Sequence, residues 1–308
     1  MNRREFLVAG GAAALSAGCC TSECTCACAA GKCASGRILF GACRGPKDVA
    51  LMKSVGYDFW EWGAGAAFVP EQDEEAWKRQ RDLILSQPLP LRSCNGFLPG
   101  KFRLTGPAAD HAPALAYAET VLRRADEVGV KTVVFGSGGA RNVPGDYLAK
   151  DRKDQPDVEK GARQYADFCR ALCARTSDLS TVQVVIEPLR PNESNIINFV
   201  WQGVQIVEDV GSPRLRQLAD IYHMMMGREC ADSIVRAGDL LKHCHVADYG
   251  TRRFPGHDPA VTDRLRPYFD ALKKIGYAGG VSCECGWGDG DAFARNLETA
   301  LKTMKGLI

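Results

Sequence analysis

The chain has 308 residues, 45% of them hydrophobic and 25% charged, and 39 Lys+Arg against 37 Asp+Glu leave a net charge of +2. That composition belongs to a folded globular protein long enough to bury a sizeable core. Near-neutrality excludes a protein that lives on polyanions, because nucleic-acid affinity is mostly phosphate neutralisation, so no nucleic-acid partner is expected. Fourteen cysteines are many, but six of them (Cys19, Cys20, Cys24, Cys26, Cys28 and Cys33) crowd the front end. The rest are too scattered for a small disulfide framework.

The first residues, Met1-Asn2-Arg3-Arg4-Glu5-Phe6-Leu7, lead into an Ala/Gly-rich apolar run ending at Gly18. A charged start, an apolar stretch and a small-residue end make an export signal. The paired arginines before Phe-Leu resemble the twin-arginine type, which implies a periplasmic or cell-envelope destination. Gly18-Cys19 after Ser16-Ala17 resembles a lipoprotein cleavage site with Leu15 one position early, so Cys19 is a candidate for a lipid tether to the membrane. The following cysteines lack the paired CxxC spacing of a structural zinc site. The expected organisation is a signal over 1–18, a Cys-rich tether over 19–36 and one domain over 37–308.

Within that domain, short apolar runs alternate with amphipathic stretches. Strands are expected at Ile38–Cys43, Tyr57–Trp62, Leu89–Cys94, Thr132–Gly136, Val182–Glu187, Arg216–Ile221, Leu241–Ala247 and Gly280–Glu284. Helices are expected at Pro46–Val55, His111–Val128, Asp157–Ala174, Ile196–Asp209, Arg228–Gly238, Val261–Ile275 and Asp291–Met304. Gly56, Gly129 and Gly276 each stop a helix before the next strand. Strand–helix alternation repeated eight times predicts an α/β fold, a (β/α)8 TIM barrel. A doubly wound sheet would want a Gly-rich phosphate turn after its first strand, and Gly41-Ala42-Cys43-Arg44-Gly45 does not supply one.

In such a barrel, chemistry sits where the strands end. Strand five ends in Glu187-Pro188, and strand six in Asp220-Ile221-Tyr222-His223. The seventh carries His243-Cys244-His245 and the eighth ends in Ser282-Cys283-Glu284-Cys285. Four consecutive strands thus deliver a carboxylate or an imidazole to one mouth. His243 and His245 share a face, so one of them can serve the barrel alone. Cys244, Cys283 and Cys285 alternate away from the mouth, and Tyr222 and Met224–Met226 read as packing. Three carboxylates and an imidazole form a hard site that favours Mn²⁺, with Mg²⁺ or Co²⁺ as alternatives. Gly136–Gly139 reads as a tight turn rather than a phosphate cradle, and Asp110 and Asp258 as capping residues.

Glu187-Pro188-Leu189-Arg190-Pro191-Asn192-Glu193, Asp220-Ile221-Tyr222-His223, His243-Cys244-His245, Arg252-Arg253-Phe254-Pro255-Gly256 and Ser282-Cys283-Glu284 resemble the sugar isomerase/epimerase family with the xylose-isomerase-like barrel. Its ketose 3-epimerases (the tagatose/psicose group) look most similar. The resemblance implies that Glu187, Asp220, His245 and Glu284 ligate the metal, and that Glu187 and Glu284 are the catalytic acid/base pair. It also implies that Glu193, His223 and Arg252 hold the oxygens of a small-molecule sugar. Two departures bear on the sugar: Arg190-Pro191 replaces the usual Asn-Arg, and the loop from His245 to Arg252 is one residue longer.

The chemistry stands independently of the name. A metal chelating a carbonyl oxygen and a neighbouring hydroxyl acidifies the C–H between them. Two carboxylates across that carbon can remove a proton from one face and return it on the other. The expected function is a metal-dependent sugar isomerase or epimerase, and a homo-oligomer is compatible with it. The alternative is a lyase or hydratase on keto-sugars using the same site. A silent sugar-binding protein is a third reading. An apurinic-site endonuclease is disfavoured, because strand ends two to four offer Trp62, Cys94-Asn95 and Gly136-Ser137 rather than histidines.

Overall fold

The computed structural model describes residues 36–308 except Asp289 and Asp291. The expected export signal, the candidate lipid site at Cys19 and all but the last residue of the tether lie outside the described residues. Among the described residues, no helix is long and apolar enough to cross a membrane.

Eight strands follow in chain order: β1 (Leu39–Cys43), β2 (Phe59–Gly63), β3 (Leu91–Asn95), β4 (Thr132–Phe135), β5 (Gln183–Ile186), β6 (Leu215–Asp220), β7 (Leu241–Val246) and β8 (Gly280–Cys283). Each pairs with the next, all in parallel, and β8 returns to β1 to close the barrel. The connecting helices are α1 (Val49–Val55), α2 (Ala64–Phe68), α3 (Glu74–Leu85), α4 (His111–Glu127), α5 (Gly138–Arg141) and α6 (Val158–Arg175). They continue with α7 (Val200–Val210), α8 (Ile221–Met226), α9 (Asp232–Ala237), α10 (Pro259–Thr262), α11 (Arg266–Lys274) and α12 (Ala292–Gly306). The predicted (β/α)8 barrel is therefore present over the whole described domain. Helices α1, α4 and α11 end within two residues of Gly56, Gly129 and Gly276, as expected.

The differences have local causes. Helix α3 has no counterpart in the sequence pattern because only Trp77 and Ile84 are buried along it, too few to draw an apolar stripe. It is started instead by Asp73, whose side chain accepts from the Ala76 N–H at 2.9 Å, a common N-cap arrangement. Helix α7 begins four residues later than expected, at Val200, where the Glu229 carboxylate accepts from the Val200 N–H at 2.9 Å. The sixth strand stops at Asp220, which caps α8 directly by accepting from the Tyr222 and His223 N–H groups at 2.8 and 3.2 Å. Asp110 and Asp258 cap α4 and α10 as the sequence suggested.

Outside the barrel, Phe135 of β4 is fully buried against Tyr165 and Phe168 of α6, with ring centroids 4.8 and 5.8 Å apart. Inside it, the Phe59 ring takes up space that two glycines leave. A Cβ at Gly41 would lie 2.2 Å from that ring, and one at Gly280 3.0 Å. The Phe59 ring closes the interior beneath the polar groups of the mouth, with an edge-to-face contact to His243. Gly41→Ala forces an extra carbon into this layer and is expected to destabilise the fold by about 1–3 kcal/mol, the usual range for overpacking a core. A urea denaturation midpoint unchanged from the parent protein would contradict this packing.

Candidate metal centre

The four residues expected at the mouth come together. Glu187 directly follows β5, Asp220 ends β6, His245 lies in β7 and Glu284 directly follows β8. Each offers one ligand atom, and these atoms lie within 4.8 Å of one another. His245 Nδ1 stands 2.9 Å from Glu187 Oε1 and 3.7 Å from Glu284 Oε2. Glu187, Asp220 and His245 are buried, and the Glu284 side chain is about a quarter exposed. Asp220 divides its two oxygens: Oδ1 caps α8, while Oδ2 faces His223 Nε2 at 3.4 Å.

This donor set fits a divalent ion. Metal–oxygen and metal–nitrogen bonds of about 2.0–2.2 Å place ligand atoms about 3–4.4 Å from one another. The observed spacing reaches that range with small side-chain movements. Three oxygen donors and one nitrogen suit a hard ion rather than a thiophilic one.

Charge around the cluster is arranged in the same sense. Burial pushes the Glu284 carboxyl up, and the neighbouring Glu187 and Asp220 add to this, so it lies above the ordinary carboxylate range. Burial also opposes the Asp220 anion, but His223, His245 and Arg252 outweigh it and hold its pKa low. For His245, burial favours the neutral ring, yet Glu61 and Glu284 raise its proton affinity well above that of an ordinary histidine. These are the signs expected when carboxylates crowd around one imidazole.

The expected substrate-side residues line the same mouth. Arg252 donates to Glu284 Oε2 at 2.6 Å and to Glu193 Oε1 at 3.3 Å. It adopts a left-handed backbone, with φ of 52°. His223 is buried, and its Nε2 has no hydrogen-bond partner. A buried, unpartnered ring nitrogen facing a polar mouth is a place for a ligand oxygen to bind. Arg190 donates to Glu193 Oε1 at 2.7 Å and to the Tyr222 hydroxyl at 2.8 Å. Tyr222 does more than pack: the Arg190 and Arg252 guanidiniums lie 5.3 and 5.0 Å from its ring centre.

Several site residues escaped sequence reasoning. Glu61 of β2 is fully buried; its Oε1 lies 2.9 Å from His245 Nε2 and its Oε2 2.9 Å from His243 Nε2. Asn95, at the end of β3, donates to Glu284 Oε1 at 2.7 Å. Cys43 groups with Glu61 and His245 on the floor of the site. The only advance signal for Glu61 was a lone acid in the aromatic run Phe59-Trp60-Glu61-Trp62. By contrast, Cys283 points away as expected, its sulfur meeting Met304 of α12 at 3.5 Å. Burial pushes the Cys244 thiol up to about 12, so it stays protonated. The Gly136–Gly139 segment is not a simple turn but leads into the one-turn helix α5, and it is close-packed: a Cβ at Gly136 would sit 2.2 Å from Glu187 Oε2, and one at Gly138 2.2 Å from the Glu193 carbonyl oxygen.

Fold and site together define a xylose isomerase-like TIM barrel, and the model of that family matches residues 49–306. The chain belongs to that family. It is 30% identical over 182 residues to the D-psicose 3-epimerase of Agrobacterium fabrum, an alignment covering 58% of this chain and 57% of that protein. The chain thus spans about half the length of the curated relatives it matches. Among solved structures, a D-psicose 3-epimerase with D-tagatose from Clostridium cellulolyticum H10 superposes with a TM-score of 0.68 at 19% identity, covering 87% of this chain and 92% of that one. The 3-keto-D-glucoside 4-epimerase of E. coli superposes with a TM-score of 0.69 at 18% identity, covering 87% and 100%. At these identities the superpositions establish the shared fold.

One acid near the mouth is set apart from the cluster. Burial is the main reason the Asp248 carboxyl is pushed up to about 6, and its Oδ1 has no partner. A raised carboxyl binds its proton more tightly in the folded chain, so stability falls as pH rises from about 4 to about 6. Asp248→Asn removes that charge. Relative to the parent protein, the variant should gain about 1–3 kcal/mol between pH 4 and pH 7.5. Urea midpoints at the two pH values measure this, and parallel pH dependences would contradict it.

Proposed function

We propose that this protein is a divalent-metal-dependent isomerase or epimerase of a free sugar or sugar derivative, acting at a carbon next to a carbonyl. The observation that carries this reading is the convergence of Glu187, Asp220, His245 and Glu284 within 4.8 Å at the barrel mouth. The similarity to a D-psicose 3-epimerase supports it, as does membership of the family. Those four residues would hold the ion, Mn²⁺ in first place. Bound there, the ion supplies positive charge beside the substrate's carbonyl and neighbouring hydroxyl, and so lowers the pKa of the C–H between them.

The chain's own residues do the rest. Glu187 and Glu284 would flank the reacting carbon and exchange its proton, one removing it and the other returning it. Asn95 and Arg252 fix both oxygens of Glu284. Arg252 also offsets the negative charge that proton removal leaves on the substrate, an electrostatic contribution of the oxyanion-hole kind. His223 Nε2, Glu193 and Arg252 are the groups available to the remaining sugar oxygens. We further propose that the chain acts after export, a reading supported by Arg3-Arg4 and the apolar run behind them.

Elemental analysis of protein folded with Mn²⁺ should give about one equivalent, and Asp220→Ala should lose it. With a panel of ketoses in D₂O, the product should be an epimer or isomer carrying deuterium at the inverted carbon. Glu284→Gln should lower turnover at least ~100-fold while keeping the folded far-UV spectrum. An unsaturated, eliminated product would assign the lyase reading instead. Neither turnover nor deuterium exchange with any ketose or keto-glycoside would sink the enzymatic reading. Full metal occupancy in Asp220→Ala would remove the ligand assignment.

A further inference from the structure

We propose that Glu61 is a positioning residue for the metal centre, fixing which nitrogen of His245 faces the ion. The inference rests on the reading of His245 as a ligand. A neutral imidazole carries one proton, and the nitrogen that binds a metal must be the bare one. Which nitrogen that is depends on the hydrogen bond the other nitrogen makes.

The geometry on the floor of the barrel decides the question. His245 Nδ1 points into the group formed with Glu187 and Glu284. Its Nε2 points the other way, 2.9 Å from Glu61 Oε1. A carboxylate only accepts, so Nε2 carries a hydrogen that Glu61 holds in place, whereas Nδ1, 2.9 Å from Glu187 Oε1, is the nitrogen whose hydrogen an ion would displace. The second oxygen of Glu61 accepts in the same manner from His243 Nε2, also at 2.9 Å. One carboxylate thus locks two perpendicular rings whose centroids are 5.2 Å apart. Glu61 has no exposed surface, so water cannot take the place of either donor.

A carboxylate is the group this arrangement requires. A glutamine of the same shape has one acceptor oxygen and an NH₂ that would face a second ring N–H. Relieving that clash moves a proton to Nδ1 on one of the two histidines, or breaks a buried hydrogen bond. Where the change falls on His245 it disturbs that ring's lone pair without changing a ligand, and where it falls on His243 it removes the contact that holds the residue at position 61 in one orientation. His243 acquires a role in the same scheme: it occupies the second oxygen and leaves Glu61 a single orientation. Cys43 is the one neighbour that suggests a different use of this floor, because it groups with Glu61 and His245 at metal-binding spacing. A second ion there would have to replace the Nε2 hydrogen of His245, whereas two hydrogen bonds of 2.9 Å already account for the contacts.

The test uses the full chain, parent and Glu61→Gln, stripped of metal and titrated with Mn²⁺ by calorimetry. The parent should bind one equivalent, and Glu61→Gln should bind ~10–100-fold more weakly with its far-UV spectrum retained. Nitrogen-15 spectra of histidine-labelled parent protein loaded with diamagnetic Zn²⁺ should show Nε2–H on both His243 and His245. That measurement decides the matter even where the variant does not fold. Affinity of Glu61→Gln within twofold of the parent would overturn the inference, as would a proton on Nδ1 of metal-loaded His245. Two equivalents in the parent, with the second lost in Cys43→Ser, would overturn it as well. A parent protein that binds no metal would sink the metal centre itself, a different result from a parent and a variant that bind equally.

Discussion

Three carboxylates held within reach of one imidazole set the terms for everything around them. Like charges about 4 Å apart near a protein surface repel by about 4 kcal/mol at an effective dielectric constant near 20. Glu187, Asp220 and Glu284 therefore cannot share the mouth without compensation. The fold supplies it from three directions: His245 from within the group, Arg252 from the loop after β7, and the Asn95 amide from β3. A divalent ion would complete the balance, because it matches both the excess charge and the oxygen-rich donor set.

The barrel interior is layered to serve that group. Phe59, accommodated by Gly41 and Gly280, closes the bottom. Glu61 with His243 and His245 forms a polar layer above it, and the candidate ligands lie above that. Arg190, Glu193, Arg252 and Tyr222 form the rim through hydrogen bonds and stacked guanidiniums. Glu61, His243 and His245 are buried beneath the mouth, while Arg252 meets the crowded carboxylates from a partly exposed position. The departures Arg190-Pro191 and the longer loop fall on the rim, while the ligand layer keeps its pattern. Under the proposed function, this would separate the groups assigned to proton transfer from those that meet the rest of the sugar.

Much of this was legible beforehand, for a local reason. Helical and strand periodicities are short-range properties, so all eight strands and most of the helices could be read from the chain. Helix α3 was missed because a helix with two buried residues carries almost no periodic signal. The ends of β6 and α7 moved because Asp220 and Glu229 act as caps, and Glu229 lies 29 residues from the helix it starts. Tyr222 passed for packing because nothing near it in the chain reveals two arginines arriving from different loops.

The sequence by itself determined the alternation that makes a barrel and the four strand-end residues that make a site. Both follow from residue type and spacing within a few positions. Only the tertiary structure decided the pairs that cross the barrel. Glu61 meets His245 over a separation of 184 residues, and Asn95 meets Glu284 over 189. Those contacts depend on how the strands are registered and on the sheet closing upon itself. Closure is a property of all eight strands together, so no single segment records which side chains will face one another across the interior.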